Sequence, residues 1–124
     1  MPKSILVIED EAPIRDNLRR FLVLEGYTVA TEPNGALGLQ RALAERPDLI
    51  LCDVMMPEMN GFEVLAQLRQ SGSLARVPFV FLTASADRDS IARGVALGAA
   101  DYVTKPFDLT QLAALIRRRL GEAG

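Results

Sequence analysis

The sequence predicts an α/β fold in which a five-stranded, doubly wound parallel sheet carries helices on both faces. Short apolar runs alternate with segments whose apolar residues recur every three or four positions, which is typical of βα units. Three runs, ILVI, LILC and VPFVFL, are apolar throughout, as expected for central parallel strands. The 124 residues suit one such domain, so a single domain is predicted over residues 1–124.

Five strands are predicted from the apolar runs. They lie at residues 4–9, 27–31, 48–53, 77–83 and 100–104. The second, YTVAT, alternates between apolar and polar residues, which favours a place at the edge of the sheet.

A helix follows each predicted strand. Pro13 suits the opening position of the first helix because its ring fixes φ, and Gly26 ends that helix. The apolar face between them contains Ile14, Leu18, Phe21 and Leu22. The second helix is predicted at 35–45 and the third at 60–71. The residues that the third helix is expected to bury are Val64, Leu65 and Leu68.

The last two helices begin at acidic residues that suit the N-cap position. Asp87 can cap the fourth helix, which carries Ile91 and Val95. Asp108 and Gln111 have the spacing of a capping box at the start of the fifth. The residues that the fifth helix is expected to bury are Leu112, Leu115, Ile116 and Leu120.

Composition excludes several classes of protein. The chain is 49% hydrophobic and 24% charged with a net charge of −2, so nothing suggests a nucleic-acid surface. No apolar stretch approaches the roughly 20 residues that span a bilayer, and the first apolar run is too short for a signal peptide. We therefore expect no membrane insertion and a cytoplasmic location.

The chain has no histidine and one cysteine. The first fact excludes Ser-His-Asp and Cys-His catalysis and all imidazole metal sites. Cys52 cannot form an internal disulfide and is interpreted as a small buried hydrophobe. Chemistry here must depend on carboxylates, hydroxyls and lysine.

Acidic residues close two of the apolar strands. Glu9 and Asp10 end the first, and Asp53 ends the third. Functional groups of an open parallel sheet collect beyond the carboxyl ends of its strands, and a doubly wound sheet commonly places strands one and three side by side. We therefore expect the three carboxylates to meet, with Thr83 and Lys105 at the ends of strands four and five.

Three clustered carboxylates predict a divalent cation, because the cation relieves their mutual repulsion. A few carboxylates together with water suit Mg²⁺. A metal ion, a lysine and a hydroxyl can stabilise the oxygens of a transferring phosphoryl group, and a carboxylate can be its nucleophile. The pattern indicates phosphoryl transfer to an aspartate.

Four motifs, "ILVIEDE", "PDLILCDVMMPEMNGFEVL", "FLTA" and "GAADYVTKPF", together resemble the signature of the receiver domain of two-component response regulators. Each is weak alone, but four at these spacings are specific, and they cover essentially the whole chain. The resemblance implies a flavodoxin-like (βα)5 fold with strand order 2-1-3-4-5. It also implies a phosphorylation switch rather than a turnover enzyme.

The resemblance further implies how the acids divide their roles. Asp53 would accept the phosphoryl group, and Asp10 would bind Mg²⁺ directly. Glu9 would hold the metal through water, and the backbone carbonyl of Met55 would add a ligand. The family more often has Asp at the position of Glu9, and the longer side chain suits an outer-shell role.

The remaining roles implied by the resemblance are contacts with the phosphoryl group and transmission of the signal to a partner. Thr83 and Lys105 would contact the phosphoryl group, and Lys105–Pro106 would be a cis peptide. Thr83 would move toward it and Tyr102 would rotate inward, changing the face made by helix four, strand five and helix five. That face would control an output domain or target protein, or pair two copies of the chain. The donor would be a partner histidine kinase or phosphotransfer protein.

The lifetime of the phosphorylated form is also predicted. By resemblance, Met55 and Ser85 are the residues best placed to hold the hydrolytic water in line with phosphorus. Methionine offers no useful hydrogen bond and serine is short, so slow hydrolysis is expected.

Two other functions remain open from the residues alone. A Mg²⁺-dependent phosphatase would use Asp53 as nucleophile, but dehalogenase-like phosphatases carry a second Asp two residues later, where this chain has Met55. A flavin or nucleotide binder would have a Gly-, Ser- or Thr-rich loop after strand one, and "EDEAPIRD" is acidic instead.

Purely structural interpretations stand beside the functional ones. Glu9 and Asp10 could face water near a helix start, and Thr83 could be only a β-branched strand residue. The basic run 117–119 is interpreted as complementing the helix macrodipole, with a partner-binding patch as the alternative. The methionines of 55–59 are interpreted as filling loop space, with an adaptable contact surface as the alternative.

Overall fold

The computed structural model describes residues 2–84 and 87–121, apart from the side chain of Ser73, so Ser85 lies outside the described residues. Five parallel strands form one sheet in the order β2-β1-β3-β4-β5, which confirms the predicted fold class and order. The strands are β1 (Ser4–Ile8), β2 (Thr28–Glu32), β3 (Leu49–Asp53), β4 (Phe79–Thr83) and β5 (Asp101–Thr104). The fourth starts two residues later than predicted, after Pro78, whose nitrogen cannot donate to a strand ladder.

The helices follow the strands as predicted. They are α1 (Ala12–Leu24), α2 (Gly35–Glu45), α3 (Gly61–Arg69), α4 (Arg88–Ala96) and α5 (Leu109–Arg119), with a short 3₁₀ helix at Gly72–Leu74. Asp87 caps α4 by accepting from the backbone N–H of Ser90, and Asp108 accepts from two backbone N–H groups at the start of α5. No helix within the described parts of the chain is long and apolar enough to cross a membrane.

The sheet separates two hydrophobic layers. Helices α1 and α5 cover one face, where Leu18 and Ile116 are buried. Helices α2 and α3 cover the other, where Ala42 and Leu65 are buried. β2 forms one edge of the sheet, and its residues are mostly half buried, as the alternation of YTVAT predicted.

Helix α4 packs through a glycine rather than through its larger side chains. A Cβ on Gly94 would lie 3.0 Å from the ring of Phe81, so the helix backbone sits directly against the sheet. Val95 points outward and is 66% exposed. This close approach places the C-terminal part of α4 against the middle of β4.

Candidate functional site

The predicted meeting of strand ends is present in the structure. β1 lies between β2 and β3, with Ile8 paired to Cys52, so the acids that follow Ile8 come beside Asp53. Cys52 is fully buried, in agreement with its interpretation as a small hydrophobe. The carboxyl ends of these central strands therefore form the floor of the site.

Three carboxylates converge at this floor. One carboxylate oxygen from each of Glu9, Asp10 and Asp53 lies within 4.8 Å of the others. Opposite ligands of an octahedral Mg²⁺ ion are roughly 4.2 Å apart, so small movements would let these oxygens share one ion. Glu9 and Asp53 are buried while Asp10 is exposed, which leaves the cluster open to solvent on the side of Asp10. The donor set therefore fits a hard divalent cation.

Lys105 is the cation that the structure places among these acids. Its Nζ lies 2.7 Å from Glu9 Oε1 and 3.1 Å from Asp53 Oδ2. A longer contact of 3.5 Å reaches Glu11 Oε2. The Lys105–Pro106 bond is cis, as the resemblance implied.

Burial and charge shift the pKa values of this cluster. Burial raises the pKa of Glu9 to about 7, although Lys105 and the backbone N–H of Glu11 act in the opposite direction. Burial also raises the pKa of Asp53, again against the effect of Lys105. Burial alone would lower the pKa of Lys105, but Glu9 and Asp53 raise it above its usual value. The lysine and the buried carboxylates thus stabilise each other's charged forms.

The loop between β3 and α3 shapes the open side of the site. The backbone N–H of Met55 donates to Asp53 Oδ1 at 3.3 Å. A Cβ on Gly61 would collide with the backbone carbonyl oxygen of Asp53, so the start of α3 can approach the strand end only as glycine. Met56 is buried, whereas Met55 is 71% exposed. The loop-filling interpretation is therefore wrong for Met55, whose side chain projects into solvent beside Asp53.

Thr83 and Tyr102 lie next to each other behind the acidic cluster. Thr83 is buried at the end of β4, and the ring centroid of Tyr102 is 5.6 Å from that of Phe81. Burial raises the pKa of Tyr102, while hydrogen bonds with the side chains of Thr83 and Ser90 lower it. The tyrosine hydroxyl therefore connects the end of β4 to the first turn of α4.

Two residues of the site were not predicted from the sequence. Glu11 contacts Lys105, and its backbone N–H donates to Glu9 Oε2 at 3.1 Å. Ser90 contacts Tyr102 and also donates to Asp87 Oδ2 at 3.0 Å. The third acid of "EDE" was a signal for Glu11, but nothing in the residue pattern distinguishes Ser90 from an ordinary helix residue.

Comparison with known proteins relates this chain to response regulators. The sequence model of the response regulator receiver domain family matches residues 5–117 of this chain. Response regulator MprA of Mycolicibacterium vanbaalenii is 42% identical over 123 residues, which cover 97% of this chain and 51% of that protein. The chain thus spans about half the length of the curated relatives it matches.

Solved structures share the fold. Chemotaxis protein CheY4 of Vibrio cholerae superposes with a TM-score of 0.91 at 30% identity, covering 95% of this chain and 98% of that one. The receiver domain of sensor histidine kinase PA1611 of Pseudomonas aeruginosa has a TM-score of 0.90 at 28% identity and covers 98% of this chain and 100% of its own. That structure has a magnesium ion coordinated in its active-site cleft.

Proposed function

Because the chain belongs to the response regulator receiver family, whose members are phosphoacceptor switches of two-component signalling, we propose that Asp53 is the residue that accepts the phosphoryl group. The observation that carries this proposal is the ion pair between Asp53 Oδ2 and Lys105 Nζ at 3.1 Å, inside the acidic cluster. A nucleophilic carboxylate must be ionised, and the lysine favours the ionised form although burial opposes it.

The transfer needs few groups from the protein. An Asp53 carboxylate oxygen attacks phosphorus as the bond from phosphorus to the donor breaks, and the donor keeps that electron pair. Lys105 and the Thr83 hydroxyl then bind the phosphoryl oxygens. The donor is a partner histidine kinase or phosphotransfer protein, or a small phosphodonor, because these 124 residues contain no histidine that could carry the phosphoryl group. The domain does not turn over a substrate, so it is a switch and not an enzyme.

A magnesium ion completes the proposed site. Asp10, Asp53 and the carbonyl of Met55 would bind it directly, and Glu9 would hold it through water. When bound, the ion neutralises negative charge on the phosphoryl oxygens. Mg²⁺ is the cation of choice because the site offers few carboxylates and stays open to solvent at Asp10.

The proposed output is the face made by α4, β5 and α5. Phosphorylation draws the hydroxyl of Thr83 away from Tyr102, and the tyrosine then repacks. The changed face controls an output domain or target protein, or pairs two copies of this chain. Asp101 and Arg119 lie on this face and form an ion pair of 2.6 Å that such a partner would meet. Nucleic acid and membrane are not expected partners of this domain, whose location we propose to be the cytoplasm.

Intact-mass measurement after incubation with acetyl phosphate tests the acceptor. One added phosphoryl group is expected with Mg²⁺, and none is expected with EDTA or in Asp53→Asn. Asp89→Asn is the matched control, because Asp89 is an exposed acid in the first turn of α4. Full labelling of Asp53→Asn would refute the assignment.

A further inference from the structure

Arg15 reaches back from the first turns of α1 to the end of β1. Its Nη1 donates to the backbone carbonyl oxygen of Glu9 at 2.9 Å, and its side chain is half buried. Within residues 2–84 and 87–121, Arg15 forms no ion pair with a carboxylate. A charged guanidinium is therefore used here to hold a backbone oxygen.

Glu9 contacts several different parts of the fold through its backbone and its carboxylate, and Oε1 has the Lys105 ion pair but no hydrogen bond with any residue that the structure describes. Its N–H donates to the carbonyl of Glu32 at 3.1 Å, which extends the pairing with β2 by one residue. Its carboxylate meets the N–H of Glu11 at 3.1 Å and Lys105 at 2.7 Å. Its carbonyl oxygen accepts from no backbone N–H of the described residues, so Arg15 supplies that bond.

The hydrogen bond lies where the chain leaves the sheet and carries two acids into the site. Neighbouring carboxylates repel one another, and the repulsion favours opening of the turn that contains Glu9 and Asp10. A charge-assisted bond to the carbonyl between them resists that opening. We propose that Arg15 is a positioning residue that keeps the Glu9–Asp10 turn in the arrangement that binds a divalent cation. This inference rests on the metal site in the proposed function.

The charge of Arg15 and its hydrogen bond to Glu9 predict opposite effects of its loss on Mg²⁺ affinity, so a measurement can separate them. Arg15 is a positive charge near the cation site, so its loss should strengthen Mg²⁺ binding if charge alone matters. If the hydrogen bond orders the turn, its loss should weaken binding instead. Arg19, one turn further along α1, is exposed, so Arg19→Gln removes the same charge without touching the turn.

The experiment is an NMR titration of the metal-free protein with Mg²⁺, without any phosphodonor. Arg15→Gln should raise the Kd about tenfold, the effect of one such hydrogen bond, while Arg19→Gln stays near wild type. Arg15→Lys keeps a charged donor, so its increase in log Kd for Mg²⁺ should be at most half of the increase caused by Arg15→Gln. Amide hydrogen exchange without metal should be faster at Asp10 and Glu11 in Arg15→Gln.

The outcomes separate the two proposals. A wild-type protein that binds Mg²⁺ together with an Arg15→Gln variant that binds equally or more tightly would overturn the role of Arg15 alone. That role is also overturned if Arg15→Lys binds as weakly as Arg15→Gln, or if Arg19→Gln loses as much affinity. A wild-type protein that does not bind Mg²⁺ would overturn both the metal site and this inference.

Discussion

Lys105 Nζ lies closer to Glu9 Oε1, at 2.7 Å, than to Asp53 Oδ2, at 3.1 Å. The lysine that contacts Asp53, the proposed acceptor, is thus also bound to Glu9, an acid of the proposed cation site. The Lys105 ammonium group thus faces the buried carboxylates of both Glu9 and Asp53, and we expect these two contacts to stabilise the site.

Loss of the lysine should destabilise the metal-free protein. Lys105→Met leaves two buried carboxylates without their cation, and we expect the free energy of unfolding to fall by about 2–4 kcal/mol at pH 8. The fall should be smaller at pH 5.5, where Glu9 binds a proton. Urea unfolding in EDTA measures both. Lys3→Met, at an exposed position, is the control, and an equal loss in that variant would contradict the prediction.

The stability of the metal-free protein should fall as pH rises. Glu9 titrates near pH 7 in the folded protein and near its usual value of about 4.3 in the unfolded chain. Between these values the folded state binds more protons, so the free energy of unfolding decreases with pH and levels off above about pH 7. The raised pKa of Asp53 acts in the same direction. Urea unfolding in EDTA between pH 5 and pH 8 measures the slope.

Glu9→Gln should remove most of this pH dependence, because glutamine does not titrate. Glu58→Gln changes an exposed acid and should keep the wild-type slope. A decline that is equally steep in Glu9→Gln would show that another group causes it.

Thr83→Ala should accept a phosphoryl group yet fail to transmit the signal. The Thr83 hydroxyl bonds Tyr102, and a phosphoryl group on Asp53 would compete for it through a charge-assisted bond. NMR of Tyr102 and of the α4 amides, before and after addition of beryllofluoride with Mg²⁺, follows this exchange. If Thr83→Ala shows chemical-shift changes at Tyr102 and α4 as large as those of the wild type, the signal does not pass through Thr83. The Tyr102 ring packs on Phe81 and its hydroxyl contacts Ser90, so the Tyr102 ring signals and the Ser90 amide should report the repacking.

Met55→Asn should shorten the lifetime of the phosphorylated form. The exposed Met55 side chain, beside Asp53, offers no useful hydrogen bond, whereas an amide could hold a water in line with phosphorus. We expect roughly a tenfold faster decay, which corresponds to about 1.4 kcal/mol of barrier. Decay is followed by intact mass after removal of the phosphodonor. Leu24→Asn makes a similar change at a residue of α1 that is 82% exposed, and a Met55→Asn rate no faster than that control would contradict the reasoning.

Much of the fold could be predicted from the sequence because the relevant signals are local. The runs ILVI and LILC mark buried strands wherever they lie, and the acids that follow them must emerge at the carboxyl edge of a parallel sheet. The expected meeting of Glu9, Asp10 and Asp53 therefore required only the order of the strands. The roles of these residues in binding metal and phosphoryl remain predictions.

Contacts between side chains of distant segments were decided by the tertiary structure alone. Lys105 was expected to face the phosphoryl group, but its shortest contact is with Glu9, because the longer Glu side chain reaches the ammonium. Val95 of α4 is an apolar residue, yet it is exposed and Gly94 makes the contact with the sheet, where a Cβ would lie only 3.0 Å from the Phe81 ring. Spacing along the chain held no signal for the bond from Arg15 to the Glu9 carbonyl, since that bond exists only once α1 has packed beside the end of β1.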